Sequence, residues 1–280
     1  MVMKWNIVAD SSCDLFELEK QYENICFSSV PFVISIGTSD FLDNEKLDID
    51  QMVAVMENST SSSYTSCPTP YDWYKQFENS EKTIAVTISS KLSGSYNSAK
   101  AAMDMILDKY PEKKIALIDS KSTGPELVLI IRKICEFIET GNDYEHVVRK
   151  AVEFADHTHI VFALSSFNHL INNGRISRIV GFIAGKLHLW GIGIGDEEGS
   201  ICIRNKVRGR RMVIDAIIAD MKERGSELSE VVISHCQNVE LAETLKTSIQ
   251  NLWHNISVKV IQSRGLCSYY AERGGLIVAY

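Results

Sequence analysis

Short runs rich in β-branched and apolar residues alternate with segments of helical period along this chain, and no other feature limits its fold as much. The stretches 5–9, 25–36, 83–88 and 115–118 read as strands bounded by turn residues. The segment 15–22 after the first strand reads as helical. Residues 96–109 place Ala99, Met103, Ile106 and Leu107 on one helical face, and 127–138 is apolar nearly all round, as a helix packed between layers would be. A second series follows: a polar helix at 144–156, a strand at 159–163 and a short helix at 167–172. Strand-like 187–194 and 200–204 then flank the acidic turn Asp196-Glu197-Glu198-Gly199, a hairpin by composition. Helices at 212–224 and 241–252 alternate with strands at 231–235 and 258–262. This is the α/β pattern, whose parallel sheet gathers ligands beyond the carboxyl ends of its strands.

A length of 280 residues corresponds to about two domains, and the boundary is placed near residue 157. An N-terminal α/β domain with a parallel sheet is expected over 1–157 and a C-terminal α/β domain over 158–280. Lys+Arg 29 against Asp+Glu 36 leaves a net charge of −7, so no overall positive field exists to hold a nucleic acid backbone. The opening residues show no basic region followed by an apolar one, and a cytoplasmic protein is expected. The apolar stretch 179–194 is broken by Lys186, His188 and four glycines, too short of the ~20 residues a membrane helix needs. Seven scattered cysteines form no Cys-x-x-Cys pair and read as reduced, mostly buried thiols rather than metal or dithiol sites.

Chemistry concentrates at three hydroxyl-rich segments. Asp10-Ser11-Ser12-Cys13-Asp14 ends the first strand, and Ser12 or Asp14 there either caps the expected helix or faces a ligand. Thr65-Ser66-Cys67-Pro68 precedes the helix at 71–77. Ser89-Ser90-Lys91-Leu92-Ser93-Gly94-Ser95 leads into the helix at 96, where free N–H groups and the dipole of a helix N-terminus either receive a hydroxyl cap or cradle a carboxylate or phosphate. Ser93 lacks a Gly-x-Ser-x-Gly setting, and no His or Asp can be assigned to it by spacing; His235 is the nearest candidate base. Gly191-x-Gly193-x-Gly195 has no following helix and reads as backbone packing, not as a dinucleotide fingerprint. No nucleotide-phosphate loop occurs, and the histidines have no metal-binding spacing. Gly174-Arg175-Ile176-Ser177 and Lys206-Val207-Arg208-Gly209-Arg210-Arg211 are local basic groups in an acidic chain.

In their order these segments resemble the DegV family of bacterial fatty acid-binding proteins. The matches are Ile7 to Asp14, Thr65 to Pro68, Ile88 to Tyr96, Ile118-Asp119-Ser120-Lys121, Asn173 to Ser177, the hairpin turn and Lys206 to Arg210. The resemblance implies two α/β domains with a lipid site between them, holding one long-chain fatty acid without catalysing a reaction and without a cofactor. Its partners would be that acid, a separate ATP-dependent fatty acid kinase that makes the acyl phosphate, and transiently a membrane surface. Carried over by position, Thr65, Ser66, Ser93, Gly94 and Ser95 would hold the carboxylate, and Arg175 would lie at the ligand mouth. Arg208 and Arg210 would dock the kinase or membrane. Two departures stand out: Trp190-Gly191 replaces a usual Lys-Pro, and the usual C-terminal His-x-Gly-Pro-Gly is absent, its His falling at Tyr270 or Ala271. A Tyr270 hydroxyl is the expected substitute. The competing readings are a serine hydrolase or acyltransferase using Ser93, and a sensor of another small carboxylate.

Overall fold

The computed structural model describes residues 5–78, 80–176, 189–225 and 228–280. Ser177 and residues 179–188 of the glycine-broken stretch lie outside them. The first half runs β1 (Trp5–Asp10), β2 (Ile25–Val30), β3 (Val33–Ile36), β4 (Ser39–Leu42), α1 (Ile49–Asn58), β5 (Ser63–Ser66), α2 (Pro70–Glu78), β6 (Lys82–Thr87), α3 (Ser95–Lys109), β7 (Lys114–Asp119), α4 (Pro125–Glu139) and α5 (Tyr144–Ala155). The second half runs β8 (Ile160–Leu164), α6 (Asn168–Asn172), β9 (Leu189–Gly195), β10 (Ile201–Arg208), α7 (Arg210–Arg224), β11 (Glu230–His235), α8 (Val239–Leu252), β12 (Ser257–Gln262), α9 (Gly265–Ala271) and β13 (Leu276–Ala279). Strands β2-β1-β6-β7 form an all-parallel sheet in that order. A mixed sheet has the order β10-β9-β8-β13-β11-β12, and β4-β3-β5 form a small antiparallel sheet.

Every residue of β1 is buried because the parallel sheet is covered on both faces. The two-residue alternation of a strand sends Ile7 and Ala9 to one side and Val8 to the other. Ile7 and Ala9 join the cluster around α4, while Val8 packs with Trp73, Phe77, Ala99 and Ile106 of α2 and α3. Helix α4, apolar on nearly every side, packs on β6 and on β11 and β13 of the second sheet, in a core that includes Val232 and Ala279. It is the expected helix between layers. Fully burying one of its Leu or Ile side chains contributes about 1.5–3 kcal/mol, and an Asp at Ile130 would strand a charge facing apolar neighbours on both sides.

Two local expectations change. No helix forms over 15–22, because the polar groups that would begin it are engaged elsewhere. Asp14 accepts from Ser234 Oγ at 2.5 Å and Arg264 N at 2.7 Å, and Leu15 O accepts from Arg264 Nη1 at 2.8 Å. The single strand expected over 25–36 is two strands in different sheets. Pro31 has no N–H to continue a ladder, and Phe32 N instead donates to Ser11 Oγ at 2.9 Å. The serine-rich patch read as a loop gives way to β5 at Ser63.

The Asp196 to Gly199 hairpin forms as expected, with a register shift between Ile203 and Asn205. Gly193 and Gly195 are packing residues: a Cβ on Gly193 would stand 2.3 Å from the Phe162 ring, and one on Gly195 3.0 Å from Ile160 Cγ2. At the tip, Gly199 has φ +87°, and a Cβ there would meet Ser89 Oγ at 2.4 Å. Ser89 Oγ donates to Gly199 O at 2.7 Å, so the tip is fastened to the loop after β6. Among the described residues no helix is long and apolar enough to cross a membrane. The seven thiols are free, four of them buried.

Candidate functional site

The strand-end motif of β1 builds the site without lining it. Asp10 is fully buried, and its carboxylate accepts from Ser12 N (3.2 Å), Ser12 Oγ (2.5 Å), Ile88 N (3.1 Å) and Ser95 Oγ (2.7 Å). Burial pushes its pKa up, and the four hydrogen bonds pull against that shift. One carboxylate thus ties the loop after β1 to the loop 88–95 and fixes the start of α3. Asp43 does the same for α9, accepting from Gly265 N and Leu266 N, each at 2.9 Å, with Arg264 3.7 Å away.

Beside these loops lie two adjacent apolar chambers. They share Leu92, Thr123, Leu170, Ile201, Tyr270 and Ile277 as walls. Polar chemistry gathers in the first chamber, where Thr65, Ser93, Arg175 and Tyr270 meet Phe32, Ile88 and Leu266. The second is walled by Ile160, Phe162, Leu164, Ala271 and the hairpin residues Gly195, Gly199, Ser200 and Ile201. No acidic side chain lines either chamber among the described residues. Of the two described cations that do, Lys121 is paired outward with Asp156 at 2.9 Å, leaving Arg175 as the one available among the described residues to an anion in the chambers.

The donors are set by local bonding. Ser93 Oγ accepts from Ser95 N at 3.2 Å, which leaves its hydroxyl hydrogen to donate. Thr65 Oγ1 and Tyr270 OH are 2.8 Å apart; one hydroxyl hydrogen makes that bond and the other remains for a ligand. Burial raises the Tyr270 pKa, so the phenol stays protonated. Arg175 Nε donates to Leu92 O at 3.2 Å and Nη1 to Asn173 O, so the guanidinium is fixed while Nη2 makes no hydrogen bond among the described residues. Its guanidinium carbon lies 6.0 Å from the Tyr270 ring centroid.

Of the residues expected at the site, the structure brings together Thr65, Ser93, Arg175 and Tyr270 on the chamber walls. It separates Ser66, Gly94 and Ser95 from them. Ser66 follows Thr65 on β5 and so faces the opposite side, where it is exposed. Gly94 is the exposed N-cap of α3, and the Ser95 hydroxyl is spent on Asp10. Arg208 and Arg210 are exposed away from the chambers, and Arg210 pairs with Glu240 at 2.8 Å. The sequence reading passed over Thr123, which lines both chambers one residue before the positive-φ Gly124 at the head of α4. The one signal there was its place just after the Ile118 to Lys121 strand end.

Among the described residues, no histidine in the chamber walls supplies the imidazole absent at Tyr270 or Ala271. His169 stands behind Tyr269, with ring centroids 4.3 Å apart, and its Nδ1 is 3.3 Å from Ser63 Oγ. His235 receives Asn238 N at 3.3 Å and is not a chamber residue. Among the described residues, Ser93 has no basic side chain hydrogen-bonded to it, so its hydroxyl is placed as a donor rather than as an activated nucleophile.

Comparison with known proteins places this arrangement. Its fold matches that of the Streptococcus pneumoniae fatty acid kinase (Fak) B3 protein loaded with linoleic acid, with TM-score 0.96, 34% identity and 99% of each chain covered. It also matches a DegV family protein from Eubacterium eligens loaded with heptadecanoic acid, with TM-score 0.93, 34% identity and 98% of each chain covered. A DegV domain-containing protein of Streptococcus pyogenes serotype M18 is 35% identical over 278 residues, 99% of both chains. The model of the DegV family, described as an uncharacterised protein family, matches residues 4–276. With the family motifs, the sheet order and the near-complete overlap in agreement, the chain belongs to the DegV family.

Proposed function

We propose that this protein is a non-catalytic carrier that binds one long-chain fatty acid and presents it to a separate fatty acid kinase. The observation that carries the reading is the polarity of the adjacent chambers: hydroxyls and one guanidinium at one end, apolar walls beyond, and no lining acid among the described residues. Ser93, Arg175 and the Thr65–Tyr270 pair hold the carboxylate, and the alkyl chain runs toward Phe162 and Ile160. Each buried methylene contributes about 0.8 kcal/mol before ordering costs, so the chain supplies most of the affinity. The head group must be compensated because a lone buried carboxylate is costly; Arg175 and the hydroxyl donors select an acid over an alcohol or amide.

The site draws walls from both sides of residue 157, which supports a division into units 1–157 and 158–280 with the ligand between them. Loaded relatives near one-third identity support the ligand class, and the Fak B3 likeness supports the kinase as recipient. Arg208 and Arg210, exposed outside the chambers, are assigned to docking on the kinase or an anionic membrane surface, in a cytoplasmic setting. Native mass spectrometry and calorimetric titration of delipidated protein test the reading. Affinity rising with chain length is expected; equal affinity for short and long acids would favour the small-carboxylate sensor, and labelling of Ser93 by a fluorophosphonate would favour the hydrolase.

A further inference from the structure

We infer that Ile160, seated against Gly195, is the stop that meets the methyl end of the acid and sets the chain length this protein accepts; the inference rests on the fatty acid reading above. The head end is marked by Thr65, Ser93 and Arg175, which line only the first chamber. The residues confined to the second chamber therefore mark the tail end, among them Ile160, Phe162 and Gly195. Ile160 and Gly195 have a second exposure: together with Lys121 they also wall a separate polar cleft that holds Glu126, His159, Asp196 and Arg224. The apolar space thus ends at a partition one layer of residues thick, with charged and hydrogen-bonding groups behind it.

A partition of that kind sets chain length sharply. Each methylene added on the apolar side strengthens binding by about fourfold, and one pushed past the partition meets polar groups and gains nothing. The contact is tight: a Cβ on Gly195 would lie 3.0 Å from Ile160 Cγ2. Gly195 is not in the left-handed region, so an alanine there brings steric pressure without backbone strain. The Ile160 backbone is also held from α7, because Arg224 Nη2 donates to Ile160 O at 2.9 Å. Ile160 borders both the chamber and the cleft.

The two partners of the contact predict opposite shifts. Ile160→Ala removes three side-chain carbons and opens room for about two more methylenes, so the preferred length moves up by one step in an even-numbered series of straight-chain saturated acids. Gly195→Ala adds a methyl group against Ile160 in the chamber wall and narrows the tail end, and the preferred length moves down by one step. Ser93→Ala, a change at the head end, weakens every acid by a similar factor and leaves the preferred length where it was. Competition binding of the full series to delipidated protein, with melting curves to verify folding, reads all three. Should Ile160→Ala fail to fold, Ile160→Val and Gly195→Ala carry the test, the valine variant gaining affinity for the next longer acid relative to the wild-type optimum. An optimum unmoved in folded variants, or moved in the same direction by Ile160→Ala or Ile160→Val and by Gly195→Ala, overturns the stop while leaving fatty acid binding intact. Wild-type protein that binds no member of the series overturns the fatty acid reading and the stop with it.

Discussion

Ser93 and Ser95 lie two residues apart on one loop, yet the structure assigns them separate consequences. Ser95 Oγ donates at 2.7 Å to Asp10, whose carboxylate is fully buried. Ser95→Ala removes one of four donors and leaves that oxygen with Ile88 N at 3.1 Å as its remaining partner. A hydrogen bond to a charged group contributes about 1.5–3 kcal/mol, which for a chain of this size lowers the melting temperature by about 3–10 °C. No chamber-lining group is removed, so fatty acid affinity of the folded variant stays within about threefold of wild type. Ser93→Ala leaves Asp10 all four of its donors but removes the acceptor of Ser95 N and a donor on the chamber wall, so affinity falls by about ten- to a hundredfold while the melting temperature drops less than in Ser95→Ala. Circular dichroism melts and calorimetric titration of one even-numbered acid, run on both variants, separate the two. A Ser95→Ala variant that melts like wild type but binds weakly would refute the assignment, because its hydroxyl would then be serving the ligand.

Tyr270→Phe and Thr65→Val should each weaken binding about tenfold, and the double variant should lose much less than the product of the two, since they share one hydroxyl pair; additivity in titration calorimetry would break that pairing. Glu126 is buried between Ser122 and Thr158, with its pKa pushed by burial from 4.5 up to about 7. The neutral acid is the form the fold favours, so its contribution is fully present below pH 4.5 and is lost as pH rises through about 7. Urea midpoints should therefore show Glu126→Gln abolishing about 3 kcal/mol of this pH-dependent loss, and an unchanged slope would contradict the burial of the carboxyl. Asp14, also raised to about 7 by burial, accounts for a further decline of the same sign in that variant. Reversing Arg208 and Arg210 to Glu should slow transfer to anionic vesicles or to the kinase at low salt while leaving acid affinity unchanged; normal transfer, or loss of binding, would remove them from docking.

The alternation of runs exposed the parallel sheet, α3, α4, the hairpin and the second series of elements, since each buries one face or both in a regular period. What the period did not show was where long-range bonds would override local preference. The stretch 15–22 has helical spacing, but Asp14 and Leu15 are claimed by Ser234 and Arg264 more than two hundred residues away. Thr65 and Ser66 were equivalent as letters; only the pairing of β5 with β3 decides which faces the chamber. Ser95 looked like part of an anion cradle because the buried Asp10 that takes its hydroxyl is distant in sequence. The short β13, flanked by Gly274-Gly275, gave too few residues to reveal a strand, although it lies inside the second sheet.

That position of β13 has a consequence for how the chain is assembled during synthesis. It pairs with β8 on one side and β11 on the other, and so joins two groups of strands that are made before it. Asp14 and Asp43, made early, likewise find Arg264, Gly265 and Leu266 only after most of the polypeptide has emerged. A ribosome-bound chain can build the first parallel sheet while its mixed sheet is still divided and its two buried acids still lack these donors. A nascent chain arrested before Arg264 would therefore present β8 and β11 as open edges that a chaperone can recognise.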